Sequence, residues 1–100
     1  MMHQVYFWLA NPGSEADRAR LIEGLRALGA IEEVLSLQIG TPSPEAARDV
    51  VDASWDVCET MHFAGLAEQA AYQVHPAHVA FVDECAHLWS KVVVYDSVPV

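Results

Sequence analysis

Tyr72-Gln73-Val74-His75-Pro76-Ala77-His78 joins two segments of helical spacing across a proline, and the fold follows from what lies on either side of it. Pro76 has no N–H to donate, which suits the first position of a helix and disrupts an interior one. The helix before it, over residues 64–73, is built around Leu66, Ala70 and Tyr72. In the helix after it, His78, Phe81, Val82, Cys85 and Trp89 recur at helical spacing and share one face. The run also gathers groups that handle protons. A phenol and two imidazoles fall within seven residues, and an unperturbed imidazole titrates at about 6.5.

Working outward, residues 2–10 set His3, Val5, Phe7 and Leu9 against Gln4, Tyr6 and Trp8, an alternation that predicts a strand with two covered faces. Asn11-Pro12-Gly13 ends it, and Ser14 is placed to cap a helix whose first turn carries Glu15 and Asp17, where negative charge suits the helix dipole. That helix shows an apolar stripe of Leu21, Ile22, Leu25 and Leu28, runs to about Ala27 and stops at Gly29. Val34 to Ile39 predicts a second strand, ended by Gly40-Thr41-Pro42-Ser43-Pro44, with a polar connection from Glu45 to Asp49. Val50 to Phe63 reads as a long third strand with its odd positions buried, and Lys91 to Asp96 as the closing strand. Strand, helix, strand, strand, two-part helix, strand is the order of an α+β, ferredoxin-like βαββαβ layer: a four-stranded antiparallel sheet with helices on one face.

One hundred residues fit one domain, residues 1–100, and 53% apolar residues with positive mean hydropathy exclude a disordered chain. A net charge of −9, from 14 acidic against 5 basic side chains, opposes nucleic acid and anionic membrane surfaces as partners. Cys58 and Cys85 are too few for a disulfide framework and are expected to be reduced, mostly buried thiols. No basic and apolar leader precedes the first strand, and nothing approaches the roughly 18 apolar residues of a membrane span. The cytoplasm is the expected location.

Helices on one face leave the other face of the sheet to be covered. Tyr6 and Trp8 project there, so two copies packed sheet to sheet are expected, and the partner of this chain is a second copy of itself.

With these elements in place the chain resembles the stress-responsive dimeric α/β-barrel domain family over nearly its whole length. The resemblance rests on His3 with Phe7-Trp8-Leu9, on Gly40-Thr41-Pro42 and on Phe63. It continues through Tyr72-Gln73-Val74-His75-Pro76-Ala77-His78-Val79-Ala80-Phe81, Trp89 and Val94-Tyr95-Asp96. Tyr-x-x-His-Pro-x-His is its specific part. The resemblance implies a homodimer whose two sheets form a barrel. One plant member is a polyketide cyclase working by aldol condensation, and its catalytic Tyr and His match Tyr72 and His78, its first-strand pocket His matches His3. This chain departs from it at Val57, where that enzyme has a further pocket histidine.

The residues themselves support two readings. In the first, His78 points from its helix toward the sheet and, with Tyr72, deprotonates a carbon beside a carbonyl and holds the enolate, His as base and phenol as donor. His3, Val5, Phe7, Val57, Glu59, Phe81 and Trp89 then line a mostly apolar pocket for a small carbonyl or aromatic compound, with no cofactor. Glu59 is the one charged residue on the buried parity of the third strand, expected to contact His3 or His78 and fix a tautomer unless a bulge turns it to solvent. In the second reading His78 is a hydrogen-bonded core residue of a non-catalytic, stress-associated homodimer. His75 is expected to bond the turn beside Pro76, Cys85 to be a small buried hydrophobe, and His62 and His87 to lie on the surface. No metal is expected: His75 and His78 straddle a helix start and no third ligand stands at a familiar interval.

Overall fold

The computed structural model describes residues 1–45 and 47–100. Its elements are β1 (Met2–Leu9), α1 (Glu15–Leu28), β2 (Ser36–Gly40), β3 (Val57–His62), α2 (Leu66–Gln73), α3 (Pro76–Cys85) and β4 (Trp89–Ser97), with a single 3₁₀ turn at Ala86–Leu88. The four strands form one antiparallel sheet in the order β2-β3-β1-β4. This is the ferredoxin-like layer expected from the element order, with β1 hydrogen-bonded on both sides.

Strand β1 follows its alternation without a fault: His3, Val5, Phe7 and Leu9 are buried and Met2, Gln4, Tyr6 and Trp8 half-buried on the opposite face. The buried face meets Val57 and Met61 of β3, Leu21, Leu25 and Leu28 of α1, Tyr72 of α2 and Phe81 and Cys85 of α3 in one core. Gly13 sits at φ 79°, a left-handed conformation that favours glycine, and turns the chain out of β1. Ser14 then caps α1, its Oγ accepting from the Asp17 N–H at 3.1 Å.

Several boundaries differ from the sequence reading. The third strand begins at Val57, seven residues later than Val50. Asp52 makes a local turn instead, its Oδ1 accepting from the Ser54 N–H at 2.8 Å, and the Trp55 indole N–H donates to the Asp52 carbonyl at 2.9 Å. Such Asp turns compete with a strand ladder for the same backbone groups. Asp56 closes the segment onto β1, donating its N–H to the Phe7 carbonyl and accepting the Leu9 N–H on Oδ2, both at 2.8 Å. Odd parity survives where the strand is real: Val57, Glu59, Met61 and Phe63 are buried.

Strand β2 begins two residues later than expected, at Ser36, and ends one later, at Gly40, because Val34 donates to the Ile31 carbonyl in a turn and leaves Leu35 exposed. Leu66 is also exposed, so α2 turns on Tyr72 alone as its buried residue. The connection Glu45–Asp49 includes residue 46, which lies outside the described residues.

Trp89 is the most informative departure. It opens β4 and does not share the helix with His78. A register shift opposite Trp8 and Leu9 pairs Trp89 with Leu9, so a bulge at the start of β4 turns the indole to the helix side of the sheet. There it packs on Phe7 and stacks on Phe81, with ring centroids 5.0 and 5.8 Å away. The intended neighbour is reached from the strand.

Leu25 is fully buried and Leu66 is 65% exposed. Urea unfolding should therefore show Leu25→Ala destabilised by about 2–5 kcal/mol and Leu66→Ala within about 0.5 kcal/mol of wild type.

Candidate functional site

The break between α2 and α3 builds the site. Helix α2 ends at Gln73, and its last carbonyls have no intrahelical donor. His75 caps α3 with Nδ1 accepting from the Ala77 N–H at 3.0 Å, and Pro76 occupies the first turn. One turn into α3, His78 Nδ1 lies 3.1 Å from the Gln73 carbonyl oxygen. A carbonyl only accepts, so Nδ1 carries the hydrogen and the Nε2 lone pair is left free. Tyr72 packs against the same ring, centroid to centroid 4.7 Å.

These two residues form one wall of a cavity of about 260 Å³ between the sheet and the α2–α3 pair. Its sheet side is His3, Val5, Phe7, Glu59, Val92 and Val94, and Gln73, Phe81, Val82 and Trp89 complete it. Val92 and Val94 are 43% and 48% exposed although they lie opposite Phe7 and Val5 on the helix side of the sheet. The cavity therefore opens along the β4 edge.

A second polar set lies across from Tyr72 and His78. His3 is 5% exposed, and its Nδ1 lies 2.5 Å from Asp96 Oδ1 on β4. As an acceptor, the Asp96 carboxylate holds hydrogen on Nδ1 and directs Nε2 inward, where Glu59 Oε1 stands 3.9 Å away. Glu59 itself is 3% exposed, which excludes the solvated alternative. Tyr72 bridges the two sets, its ring 6.1 Å from that of His3.

Burial dominates the electrostatics. It pushes the Glu59 carboxyl up to about 8, so this acid is mostly protonated near neutrality. Burial, with the Glu59 charge adding to it, also lifts the Tyr72 phenol well above its usual range and keeps it a hydrogen-bond donor. His78 is lowered, first by burial and also by His3, against the raising effect of the Gln73 carbonyl. A neutral imidazole beside a protonated phenol is the pairing of a base with a donor. Burial raises both Cys58 and Cys85, which leaves neither thiol in the activated state of a nucleophile.

A model of the stress responsive A/B barrel domain, Dabb, matches residues 1–99. The chain belongs to this family. Among solved structures it is similar to a Dabb protein with a ferredoxin-like fold from Mesorhizobium loti, at 27% identity over 99% of this chain and 95% of that one, with a TM-score of 0.79. A dimeric ferredoxin-like protein of unknown function from Thermobifida fusca matches at 23% identity over 94% and 85%, TM-score 0.75. A hydroxynitrile lyase from Passiflora edulis matches at 21% identity over 94% and 87%, TM-score 0.78. The last two likenesses speak for the fold. Comparison with curated protein sequences gives no match.

In this Dabb domain, His3, Val5, Phe7, Glu59, Tyr72, His78, Phe81 and Trp89 meet at one cavity. Val57 does not join them: it is fully buried in the core and is not among the lining residues, since Phe7 pairs with it across the sheet and the helices close over it. Three contributors escape a reading of the sequence. The Gln73 carbonyl is backbone, and Val92 and Val94 look like ordinary strand residues. Asp96 was legible in principle, because alternation along β4 puts 92, 94 and 96 on the side of His3. Among the described residues, no cluster of three or more His, Cys, Asp and Glu is arranged to hold a metal. His75 and His78 are committed to the helix joint. His62 and His87 are exposed.

The Glu59 carboxyl gives a pH signature. Its folded pKa of about 8 exceeds the ordinary carboxyl value of 4.5, so the native state binds the extra proton between them. Its contribution to stability is complete below the lower value and is lost as pH rises through the upper one. His78 acts oppositely, its contribution being lost as pH falls below the ordinary value of 6.5. Denaturant unfolding between pH 6.5 and 8 isolates Glu59: wild type should lose roughly 1–2 kcal/mol across that window, and Glu59→Gln should be flat.

Proposed function

We propose that this Dabb domain binds a small carbonyl or aromatic compound between its sheet and the α2–α3 pair. There His78 and Tyr72 carry out cofactor-free acid–base chemistry of the cyclase, lyase or isomerase type. One observation carries the reading: a neutral imidazole with a free Nε2 and a buried phenol share one wall of a mostly apolar, ligand-sized cavity. His78 takes a proton from the carbon beside the carbonyl, or from a hydroxyl that becomes a carbonyl as the bond from its carbon to a leaving group breaks and the electron pair departs with that group. The Tyr72 hydroxyl donates to the oxygen on which negative charge develops, and both groups begin in the protonation state the step requires. Phe7, Phe81 and Trp89 exclude water and favour a flat or aromatic ligand. A protein of similar fold from Passiflora edulis is a hydroxynitrile lyase, which supports lyase-type chemistry in this reading.

The working unit in this reading is a homodimer in the cytoplasm, each copy one domain. Tyr6, Trp8, Val93 and Tyr95 share the face of the sheet away from the helices, with Tyr95 62% exposed. The dimeric Thermobifida fusca relative supports the assembly. The dominance of acidic over basic residues suits a soluble setting and no nucleic acid partner. No helix among the described residues is long and apolar enough to cross a membrane.

Proton exchange tests the chemistry. Acetophenone incubated in D₂O should lose its methyl protons faster with the domain than in buffer. His78→Ala should reduce the enzymatic part by about 100-fold or more, and Tyr72→Phe by a comparable factor. Exchange at the buffer rate, with no ligand-induced rise in melting temperature, would replace this reading with that of a non-catalytic stress-associated homodimer. Sedimentation equilibrium tests the assembly separately. Twice the chain mass of 11.0 kDa is expected for wild type and a single chain mass for Tyr95→Glu; wild type sedimenting as one chain would rule the dimer out.

A further inference from the structure

Glu59 is not needed for the chemistry above, yet its carboxyl lines the cavity at the cost of being buried. Oε1 faces His3 Nε2 at 3.9 Å, too far for a hydrogen bond. Oε2 is buried and meets no hydrogen-bond partner among the described residues. A buried polar atom left unpaired is costly unless something else satisfies it. His3 is held by Asp96 on its far side and so cannot close on Glu59 without breaking that bond. The terminal torsion of a glutamate side chain is soft, so either oxygen can be presented to a molecule in the cavity.

We propose that Glu59 and His3 form a second polar subsite that takes an oxygen of the ligand, so that the cavity selects neutral compounds with two separated oxygen functions and rejects carboxylates. This rests on the reading of Tyr72 and His78 as the first subsite, and names the ligand class for the same cavity. The two subsites adjoin, with the His3 and Tyr72 rings in edge-to-face contact at 6.1 Å between centroids, so a flat ligand lying along that contact can present one oxygen function to each. The groups facing Glu59 are His3 from β1, with Asp96 of β4 behind it, and Tyr72 from α2, while His78 of α3 lies beyond Tyr72. None of these is a lysine or arginine, so no fixed cation stands ready for a carboxylate ligand. The protonated Glu59 donates to a carbonyl, and a carbonyl ligand leaves it neutral.

Three probes of similar shape separate the subsites: acetophenone, 1,3-diacetylbenzene and 3-acetylbenzoate, each titrated by calorimetry or ligand-observed NMR. Wild type at pH 7 should bind the diketone about tenfold more tightly than acetophenone, the worth of one added hydrogen bond. It should bind 3-acetylbenzoate no better than acetophenone. Glu59→Gln keeps a donor and should keep the preference, while Glu59→Leu should abolish it, leaving the diketone no tighter than acetophenone. In wild type the preference should fade as pH rises past the Glu59 value of about 8, and in Glu59→Gln it should not. That pH arm needs no destabilising variant. Equal affinity for the two ketones, a preference that survives Glu59→Leu, or tight binding of 3-acetylbenzoate would overturn the Glu59 subsite while acetophenone binding leaves the Tyr72–His78 reading intact. Failure of wild type to bind either ketone would overturn both.

Discussion

The register of β1 is the constraint on which everything else rests. It is hydrogen-bonded to β3 on one side and β4 on the other, so its alternation fixes the faces of both neighbours. A slip of one residue would exchange His3, Val5, Phe7 and Leu9 for Gln4, Tyr6 and Trp8 on the helix side. Val5, Phe7 and Leu9 would leave the core, and His3 would leave its polar set. Asp56 guards against that slip by binding both the Phe7 carbonyl and the Leu9 N–H, which locks the far end of the strand. The loss of the long third strand thus has a use: the residues that leave the ladder end it in a fixed position.

Much of this was legible from side-chain type and spacing. The alternation of β1, the Ser14 cap, the Leu21, Leu25 and Leu28 stripe and the break at Pro76 are local properties, and the structure keeps each of them. His3, Glu59, Tyr72 and His78 were legible as inward residues because each falls on the apolar parity or face of its element. What the sequence concealed depends on hydrogen bonds between distant segments. Val50 to Asp56 has strand-like composition, but the Asp52 turn and the Asp56 contacts decide its path. Trp89 fits helical spacing as well as it fits a strand, and only the pairing with Leu9 places it. The parity of Asp96 on β4 was readable, but the pairing of β4 with β1 that brings it to His3 across 93 residues was not.

The site combines two ways of holding polar groups in an apolar interior. His78 and His3 are each tied through Nδ1 to an oxygen, one a helix-end carbonyl and the other a carboxylate. Each tie fixes a tautomer and turns Nε2 toward the cavity side of the ring, so the two imidazoles are prepared alike from opposite sides. Glu59 and Tyr72 are held protonated by burial instead. Neither Glu59 nor Tyr72 brings a charge into the cavity near neutral pH, a balance compatible with its apolar walls.

The bulge that opens β4 has a consequence for how such a site can vary among related chains. Trp89 forms the back of the cavity because β4 contains one more residue than regular pairing with β1 would use. The indole's position is therefore set by the count of residues, while its identity sets only the size of the wall. Loss of Ser90 would restore regular pairing and leave Trp89 opposite Leu9 on the helix side, whereas regular pairing with Ser90 kept would put Ser90 there and carry the indole to the other face, enlarging the cavity. The pairing register at the start of β4 therefore sets the room in the cavity as much as the residues that line it do.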